Sequence, residues 1–542
     1  MKRKTLLILA LLSGILLALP WYQGFSGIII LIAFVPLLLI EDYISSTREK
    51  NKPIIFIGYS ALTFFIWNIL ATYWIYNAAI IAVISAILVN TLLMTSTFWL
   101  FHFTKRNLGP KVGNFSFIIY WIGFEYFYLN AEISWPWLNL GNAFAKDIKL
   151  IQWFEFTGTL GGTLWILILN LFLFHIIKSY INSRNLKNNV PQFIFYIIVI
   201  AIPILISLSI FRNYNEKGKE YNITVVQPNI DPYGSNSGSV WHFKQLNSIL
   251  QLADSILDEN TNYIIAPETS LGNSVWEHNI KTDRSIQTIK NFINKKPKVN
   301  FVIGMNYYKK YMQDEEKSST VRYWKEENIY YDVYNSAIQI NANNHYPVYH
   351  KSKLVVGVEK MPYPKLFKPL ENFIDKMGGT IASCGTQKFR ETFKNSIDNT
   401  RVAPVICYES VYGEFVTDYI KKGANFIFII TNDGWWGDTP GYKQHLSYSR
   451  LRAIETRRSV ARSANTGISA FINQKGEILN KTKWWVPCAI KNTLKANTEI
   501  TFYVKYGDYI GRLSGFLAIF IFLYAVVQLV LNSSKEQKFI KH

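Results

Sequence analysis

Residues 5–40, TLLILALLSGILLALPWYQGFSGIIILIAFVPLLLI, run for 36 positions without one charged side chain. A helix needs about 20 mostly apolar residues to cross the hydrocarbon of a bilayer. This stretch therefore reads as a hairpin of two spans, 5–21 and 25–40. Working outward, similar runs recur at 53–76, 77–103, 115–130, 162–177 and 192–211, and a last one at 513–531 follows a long mixed stretch. The runs at 25–40, 115–130 and 162–177 are a little short, and any one alone would read as a buried soluble helix. Eight in this arrangement predict a polytopic α-helical membrane domain. Lys2, Arg3 and Lys4 before the first run would also suit a signal peptide. Leu19-Pro20-Trp21 offers no small-x-small cleavage site, however, so the first span is expected to be retained.

Composition agrees with that reading. Of 542 residues, 49% are hydrophobic and 17% charged, against about 25% charged in a soluble protein. A disordered chain and a small disulfide scaffold are both excluded. The net charge of +20 would suit a nucleic-acid partner if the basic residues shared a face, but they follow the loops instead. Lys2, Arg3, Lys4, Arg48, Lys50, Lys52, Lys105, Arg106, Lys111, Lys178, Arg184, Lys187, Lys535, Lys538 and Lys541 fall at alternate ends of the spans, and the intervening short loops hold only Lys146 and Lys149. Positive residues stay on the cytoplasmic side. Both termini are thus expected in the cytoplasm, with no nucleic-acid partner. The predicted domains are 1–211 (seven spans), 212–512 (outside the cytoplasm) and 513–542 (the last span and a short tail).

The second domain is long enough to bury its own core. Apolar runs ending in polar residues, YNITVVQPN (221–229), NYIIAPET (262–269), RVAPVICYES (401–410) and NFIFIITNDGWWG (425–437), read as strands. QHLSYSRLRAIETRRSVARS (444–463) reads as a basic helix, ISAFINQKGEIL (468–479) as a hairpin turning at Lys475-Gly476, and 306–330 as surface loop. Strands alternating with helical patterns predict an α/β domain. Its three cysteines, Cys384, Cys407 and Cys488, leave at least one thiol unpaired, and none lies in a metal-binding cluster. Cys384 and Cys488 read as inert buried thiols. Cys407 ends an apolar strand, where a nucleophile is exposed on rigid backbone. Glu268 ends another strand and reads equally well as a helix cap. Lys351 follows IQINANNHYPVYH, and a lone lysine is usually a solvated charge. The three in order, each just beyond a strand, make a base, a cation for an oxyanion and a nucleophile.

The ordered set APET, YHKSKLVVGVEKMP, ICYES and TNDGWWG resembles the carbon–nitrogen hydrolase (nitrilase) superfamily. With the membrane spans, WPWLNLGN (135–142) and HLSYSRLRAIE (445–455), the whole chain is similar to the bacterial apolipoprotein N-acyltransferase family. The resemblance implies an extracytoplasmic α-β-β-α sandwich, with Glu268 as general base, Lys351 as oxyanion-stabilising cation and Cys407 as nucleophile. It also implies that Glu359, Tyr408 and Glu409 support the site. The segment Leu354-Val355-Val356-Gly357 departs from the family pattern, and Trp241 falls too late after QPNI to match a functional tryptophan of some members.

The implied reaction takes an acyl chain from a membrane phospholipid onto Cys407 and passes it to the α-amine of a diacylglyceryl-cysteine on an apolipoprotein. Both substrates lie in the lipid bilayer, and no cofactor or metal is implied. Trp137 and Trp435 are candidate lipid contacts, with Trp135 and Trp436 beside them; ordinary interface or core packing is an equal alternative. The rival enzyme is a membrane-tethered amidase using water as acceptor. The rival non-enzyme is a transporter, which would need internal charges that the spans largely lack.

Overall fold

The structure, a computed structural model, describes residues 1–47, 54–185, 189–234, 239–343, 345–364 and 383–540. Arg48, Lys50, Lys52, Lys187 and Lys541 of the charge pattern lie outside the described residues. The chain divides into two compact units. One comprises Met1–Tyr73, Val83–Arg212 and Asp508–His542; the other comprises Trp74–Ala82 and Asn213–Gly507.

The first unit is helical. Its helices are α1 (Arg3–Ala18), α2 (Val35–Ser46), α3 (Ile54–Thr72), α4 (Ile80–Asn130), α5 (Phe154–Ser183) and α6 (Val190–Asn213), with another at Tyr509–Asn532. Among the described residues, seven helices are long and apolar enough to cross a membrane. The eight apolar runs map onto these seven because two runs, 77–103 and 115–130, share α4. That 51-residue helix is broken at Gly109, where φ is 83°. Glycine tolerates this conformation, and Pro110 both lacks an N–H and disfavours helix in the residue before it.

Polar side chains satisfy backbone groups inside this unit. Pro203 leaves the Val199 carbonyl without its helical donor, and the Trp165 indole donates to it at 3.0 Å. Glu125 accepts from Trp121 Nε1 at 3.0 Å, Thr163 Oγ1 at 2.7 Å and the Leu140 amide at 2.8 Å. These bonds hold WPWLNLGN as short, buried 3₁₀ turns. An unpartnered polar group in apolar surroundings would cost several kcal/mol. Near the C-terminus Gly511 and Gly515 face Tyr126 and Phe127, and an added Cβ at Gly511 would come within 2.6 Å of the Tyr126 ring. Small residues four apart permit such close helix packing.

The second unit holds two sheets. The first contains β1 (Lys219–Gln227), β2 (Thr261–Ile265), β3 (Leu271–Trp276), β4 (Asn300–Lys310), β5 (Arg322–Trp324), β6 (Ile329–Ile340), β7 (Val348–His350) and β14 (Cys488–Ala496), in the order β14-β1-β2-β4-β6-β5 with β3 on β4 and β7 on β6. The second runs β13-β12-β11-β10-β9-β8, from β8 (Phe393–Lys394), β9 (Arg401–Ile406), β10 (Phe426–Thr431), β11 (Ser459–Ala464), β12 (Ala470–Ile472) and β13 (Ile478–Lys481). β10 lies parallel to both its neighbours and is buried along its whole length, as an unbroken apolar strand in a covered sheet should be.

The inner faces meet through Tyr263 against Phe428 at 5.1 Å and Tyr221 against Phe426 at 5.5 Å. Helices α7 (Ser239–Asp254) and α8 (Arg284–Asn294) cover the first sheet, burying Leu246, Ile249, Ile286 and Ile289 on Ile264, Phe301 and Ile303. Each such side chain contributes about 1.5–3 kcal/mol on burial. Helices α9 (Gly413–Lys421) and α10 (Pro440–Thr456) cover the second. The result is an α-β-β-α sandwich.

Two local expectations change. The helix read over 444–463 stops at Thr456; Arg457 turns left-handed and 459–464 is strand β11. Beyond the helix end Arg458 is buried and donates to the Ala424 carbonyl at 2.8 Å. The segment 306–330 is only partly loop. β4 continues to Lys310, opposite Tyr331 of β6, and 322–324 forms β5. Its polar residues occupy alternate faces of paired strands, which composition alone reads as loop.

Candidate active site

Three strand ends converge in the second unit. Cys407 directly follows β9, Lys351 directly follows β7, and Glu268 lies just beyond β2. The chain after β2 stays paired with β4 through the Ala266 amide to the Val302 carbonyl at 2.9 Å and the Gly304 amide to the Pro267 carbonyl at 3.0 Å. Gly304 is required by this approach, since an added Cβ would stand 2.5 Å from Glu268 Cα. Lys351 is registered by its own amide, which donates to the Asn335 carbonyl of β6 at 2.8 Å.

Cys407 adopts φ 50°, a left-handed conformation that costs a non-glycine residue on the order of 1–3 kcal/mol. Its surroundings hold it there. Ser410 Oγ donates to the Cys407 carbonyl at 2.7 Å, and His445 Nε2 lies 3.3 Å from the same oxygen. Glu409, fully buried, accepts from the Ile406 amide at 2.9 Å, the Ser352 amide at 2.7 Å and the Tyr349 hydroxyl at 2.7 Å. One carboxylate thereby ties the nucleophile's strand to the lysine's loop. Burial nevertheless pushes the Glu409 carboxyl above its ordinary range, against those three donors.

Lys351 is 1% exposed and placed between two carboxylates, Glu268 Oε1 at 2.9 Å and Glu359 Oε1 at 2.8 Å. Asn335 Nδ2 donates to the same two oxygens, at 2.7 and 2.8 Å. The other oxygens are bound by backbone, Glu268 Oε2 by the Asn432 amide at 3.1 Å and Glu359 Oε2 by the Val355 amide at 2.8 Å. Burial opposes the ammonium, but Glu268 and Glu359 outweigh it and hold the Lys351 pKa well above its usual value. The Cys407 thiol is pushed the other way. Burial and then the Glu268 carboxylate raise its pKa, partly countered by Lys351. The arrangement holds the Cys407 thiol, the Lys351 amine and the Glu268 carboxyl group together in buried surroundings.

A second buried group lies behind the thiol. Asp433 pairs with Arg462 Nη2 and lies 2.9 Å from His445 Nδ1 and 2.7 Å from Thr431 Oγ1. Burial works against its charge, yet Arg462 and His445 hold its pKa below the ordinary value. Ser410 Oγ connects His445 Nε2, at 2.9 Å, to the Cys407 backbone.

The structure thus brings together Glu268, Lys351, Cys407, Glu359 and Glu409. Tyr408 is buried beside them in sequence, its ring edge-on to Tyr412 at 5.3 Å. Trp435 is 42% exposed and edge-on to Tyr233 at 5.4 Å. Trp137 belongs to the first unit, wholly buried and stacked on Trp135 at 5.3 Å. Cys384 donates its amide to the Glu359 carbonyl at 3.0 Å, and burial raises its thiol pKa. Cys488 opens β14 opposite Gln227. Sequence reading missed Asn335, Thr431, Asp433, His445 and Arg462 as parts of the site. An asparagine within a largely apolar strand is the signal that could have singled out Asn335.

Comparison with known proteins adds the family. The family model described as carbon–nitrogen hydrolase matches residues 222–496, and that described as apolipoprotein N-acyltransferase N-terminal domain matches residues 13–172. A protein of Chlorobaculum tepidum named apolipoprotein N-acyltransferase is 26% identical over 94% of this chain and 95% of its own. One of Thermotoga maritima with the same name is 24% identical over 95% of this chain and 92% of its own. A solved amidase of the nitrilase superfamily from Nesterenkonia is 12% identical, covering 55% of this chain and 98% of its own with a TM-score of 0.37.

Proposed function

The chain belongs to the carbon–nitrogen hydrolase family, among its membrane-embedded apolipoprotein N-acyltransferases, and we propose that it moves an acyl chain from a membrane phospholipid through a Cys407 thioester to the N-terminal amine of a diacylglyceryl-apolipoprotein. The enzyme is an acyltransferase, and its apolar helices make it a membrane protein. The observation carrying the proposal is the buried Lys351 bridging Glu268 and Glu359 beside a neutral Cys407.

In the first half-reaction the Glu268 carboxylate takes the thiol proton as sulfur attacks the ester carbonyl. The Lys351 ammonium holds the oxyanion, a role worth about 3–4 kcal/mol of barrier for one donor at such a site. Collapse breaks the ester C–O bond, Glu268 returns the proton to the departing alkoxide, and a lysophospholipid leaves. In the second half the lipoprotein α-amine attacks the thioester carbonyl and loses its proton to Glu268. Collapse breaks the C–S bond and restores the Cys407 thiol. Glu359 and Asn335 keep Lys351 and Glu268 in register, and Glu409 holds the two loops together. Trp435 is exposed on the loop after β10 and serves as a lipid contact, whereas Trp137, wholly buried against Trp135 in the membrane unit, is core packing.

The proposed orientation follows the basic loops. Both termini are cytoplasmic, and the nitrilase-like domain, 212–512, is on the periplasmic side of a bacterial inner membrane. The test is an intact-mass measurement of the full-length protein with phospholipid vesicles and no acceptor. An adduct of one acyl chain on Cys407, absent in Cys407→Ala, is expected, together with loss of lipoprotein N-acylation when that variant is the sole copy. Normal triacylated lipoprotein with Cys407→Ala would overturn the reading. Free fatty acid released without acceptor, at the rate of transfer, would make the protein a hydrolase.

A further inference from the structure

The short connection between α3 and α4 belongs to the catalytic unit, although the sequence read it as parts of two membrane spans. Residues Trp74–Ala82 pack there on the loop that follows β10, 432–437. Asn77 Nδ2 donates to the Trp436 carbonyl at 2.8 Å. The Tyr233 hydroxyl lies 2.8 Å from the Asn77 carbonyl and 2.6 Å from the Trp435 carbonyl, its one proton serving both. Trp74, 1% exposed, lies against Trp436 with ring centroids 4.7 Å apart. Gly441 makes room for it, since an added Cβ would come within 2.6 Å of the Trp74 ring.

The opposite side of this loop meets the reacting groups by two routes. Along the backbone, Asn432 donates its amide to Glu268 Oε2 at 3.1 Å. Through side chains, the Trp436 ring is edge-on to His445 at 5.6 Å, and His445 reaches the Cys407 carbonyl at 3.3 Å. The base and the nucleophile's backbone are therefore both supported by a loop whose far side is gripped by Trp74 and Asn77. A donor bonded to a carboxylate favours its charged form, and a misplacement of about 1 Å remote from the chemistry can cost a hundredfold in rate.

We propose that the Trp74–Ala82 connection is a positioning element of the active site, holding the 432–437 loop where Asn432 meets Glu268 and Trp436 supports His445. Its loss therefore slows the chemical step more than it weakens donor binding through Trp435 on the same loop. The inference rests on the acyl-transfer reading for the identity of that step, but not for its test.

The test uses the full-length protein in detergent or vesicles carrying Asn77→Ala with Tyr233→Phe, neither of which touches Glu268, Lys351 or Cys407. Acyl transfer should fall about tenfold in kcat with a smaller change in the KM for phospholipid, as expected for a lost loop bond acting mainly on the transition state. Alkylation of Cys407 by iodoacetamide should shift its pH midpoint upward, because a Glu268 carboxylate deprived of the Asn432 donor opposes the thiolate more strongly. Among the charged groups, Lys351, Asp433, His445 and Arg462 also lie near this thiol, and neither substitution alters them. Tyr233→Phe alone should give a smaller shift in the same direction, which covers failure of the double variant to fold.

An unchanged midpoint and kcat in a folded variant would overturn the proposal, as would a rise in KM with kcat intact. If the parent forms no acyl adduct while the midpoint still moves, the positioning role stands and the acyl-transfer reading falls. If the adduct forms equally fast in both proteins at an unmoved midpoint, the reverse holds.

Discussion

Two buried ionic clusters act on Cys407, and they are built with opposite stoichiometry. On one side a single cation, Lys351, is shared by two carboxylates, Glu268 and Glu359, with Asn335 donating to both. On the other a single carboxylate, Asp433, is shared by the Arg462 guanidinium, the His445 ring and the Thr431 hydroxyl. The first carries formal negative charge in excess, which a proton acceptor requires. In the second the carboxylate is met by the Arg462 guanidinium, and the cluster is bonded on to the backbone of Cys407 through His445 and Ser410. Buried ion pairs rarely add net stability, while removal of one partner is expensive. The lesson is that burial alone does not mark a reactive group. What distinguishes the two clusters is whether charge is left over once the hydrogen bonds are made.

Glu268→Gln is the sharpest way to break that contrast. It removes the base while leaving an amide of similar shape, and acyl transfer should fall by about 10²–10⁴. The Glu268 carboxylate is one of the causes raising the Cys407 thiol pKa. Neutralising it lowers that pKa, so alkylation by iodoacetamide at a fixed pH near 8 should speed up while turnover is lost. Lys351→Met should move both readouts down, since the cation favours both thiolate and oxyanion. If Glu268→Gln slowed alkylation as well, the excess charge would not lie on that side.

Asp433→Asn tests the other cluster. It leaves the Arg462 guanidinium buried without its carboxylate, a loss of about 3–5 kcal/mol when one partner of a buried pair is removed. The expected signature is a lower Tm of the detergent-solubilised protein, larger than that of Glu268→Gln, with a smaller loss of kcat. Equal Tm for the two variants would remove the distinction between a reactive cluster and a scaffold.

Much of this site was legible from sequence because its polar side chains end apolar strands. Glu268, Lys351 and Cys407 each stop a β run, and a strand that loses its apolar pattern at the C-terminal edge of a sheet leaves the next side chain exposed to a site. The α/β character of the domain was legible from strands alternating with helical patterns, and the sandwich from the family resemblance. What escaped is carried by backbone or by charges in unexpected places. The Asn432 and Ser352 amides and the φ of Cys407 have no side-chain signature. Arg458 and Arg462 read as part of a basic helix, yet β11 is buried throughout and each arginine finds an oxygen. Asn335 is a mid-strand residue whose meaning depends on two carboxylates 67 positions before it and 24 after. Apolar content placed Trp74–Ala82 in the membrane helices, because composition does not distinguish lipid from a protein core as the surroundings of a tryptophan.

The smallest expected effect concerns His350, the residue before Lys351, and it sharpens the count of one cation in the reactive cluster. Its ring packs on Tyr334 at 4.3 Å and Tyr307 at 4.8 Å, with Nδ1 2.7 Å from Ser336 Oγ. Burial, aided by the Lys309 charge, brings its pKa down to about 4. An unfolded histidine titrates near 6.5. The folded state therefore gains from the neutral ring at every pH above about 6.5, and that gain is lost as pH falls from there through 4. A difference of about 2.5 units corresponds to at most about 3 kcal/mol. His350→Gln keeps a partner for Ser336 and removes the titration, so the decline of Tm between pH 6.5 and 4 should flatten while the neutral-pH rate stays within a fewfold of the parent. An acid limb of equal slope in the variant would mean that the neutral ring contributes nothing. In that case the single charge of Lys351 is secured by its two carboxylates alone, and the burial of its neighbour has no part in it.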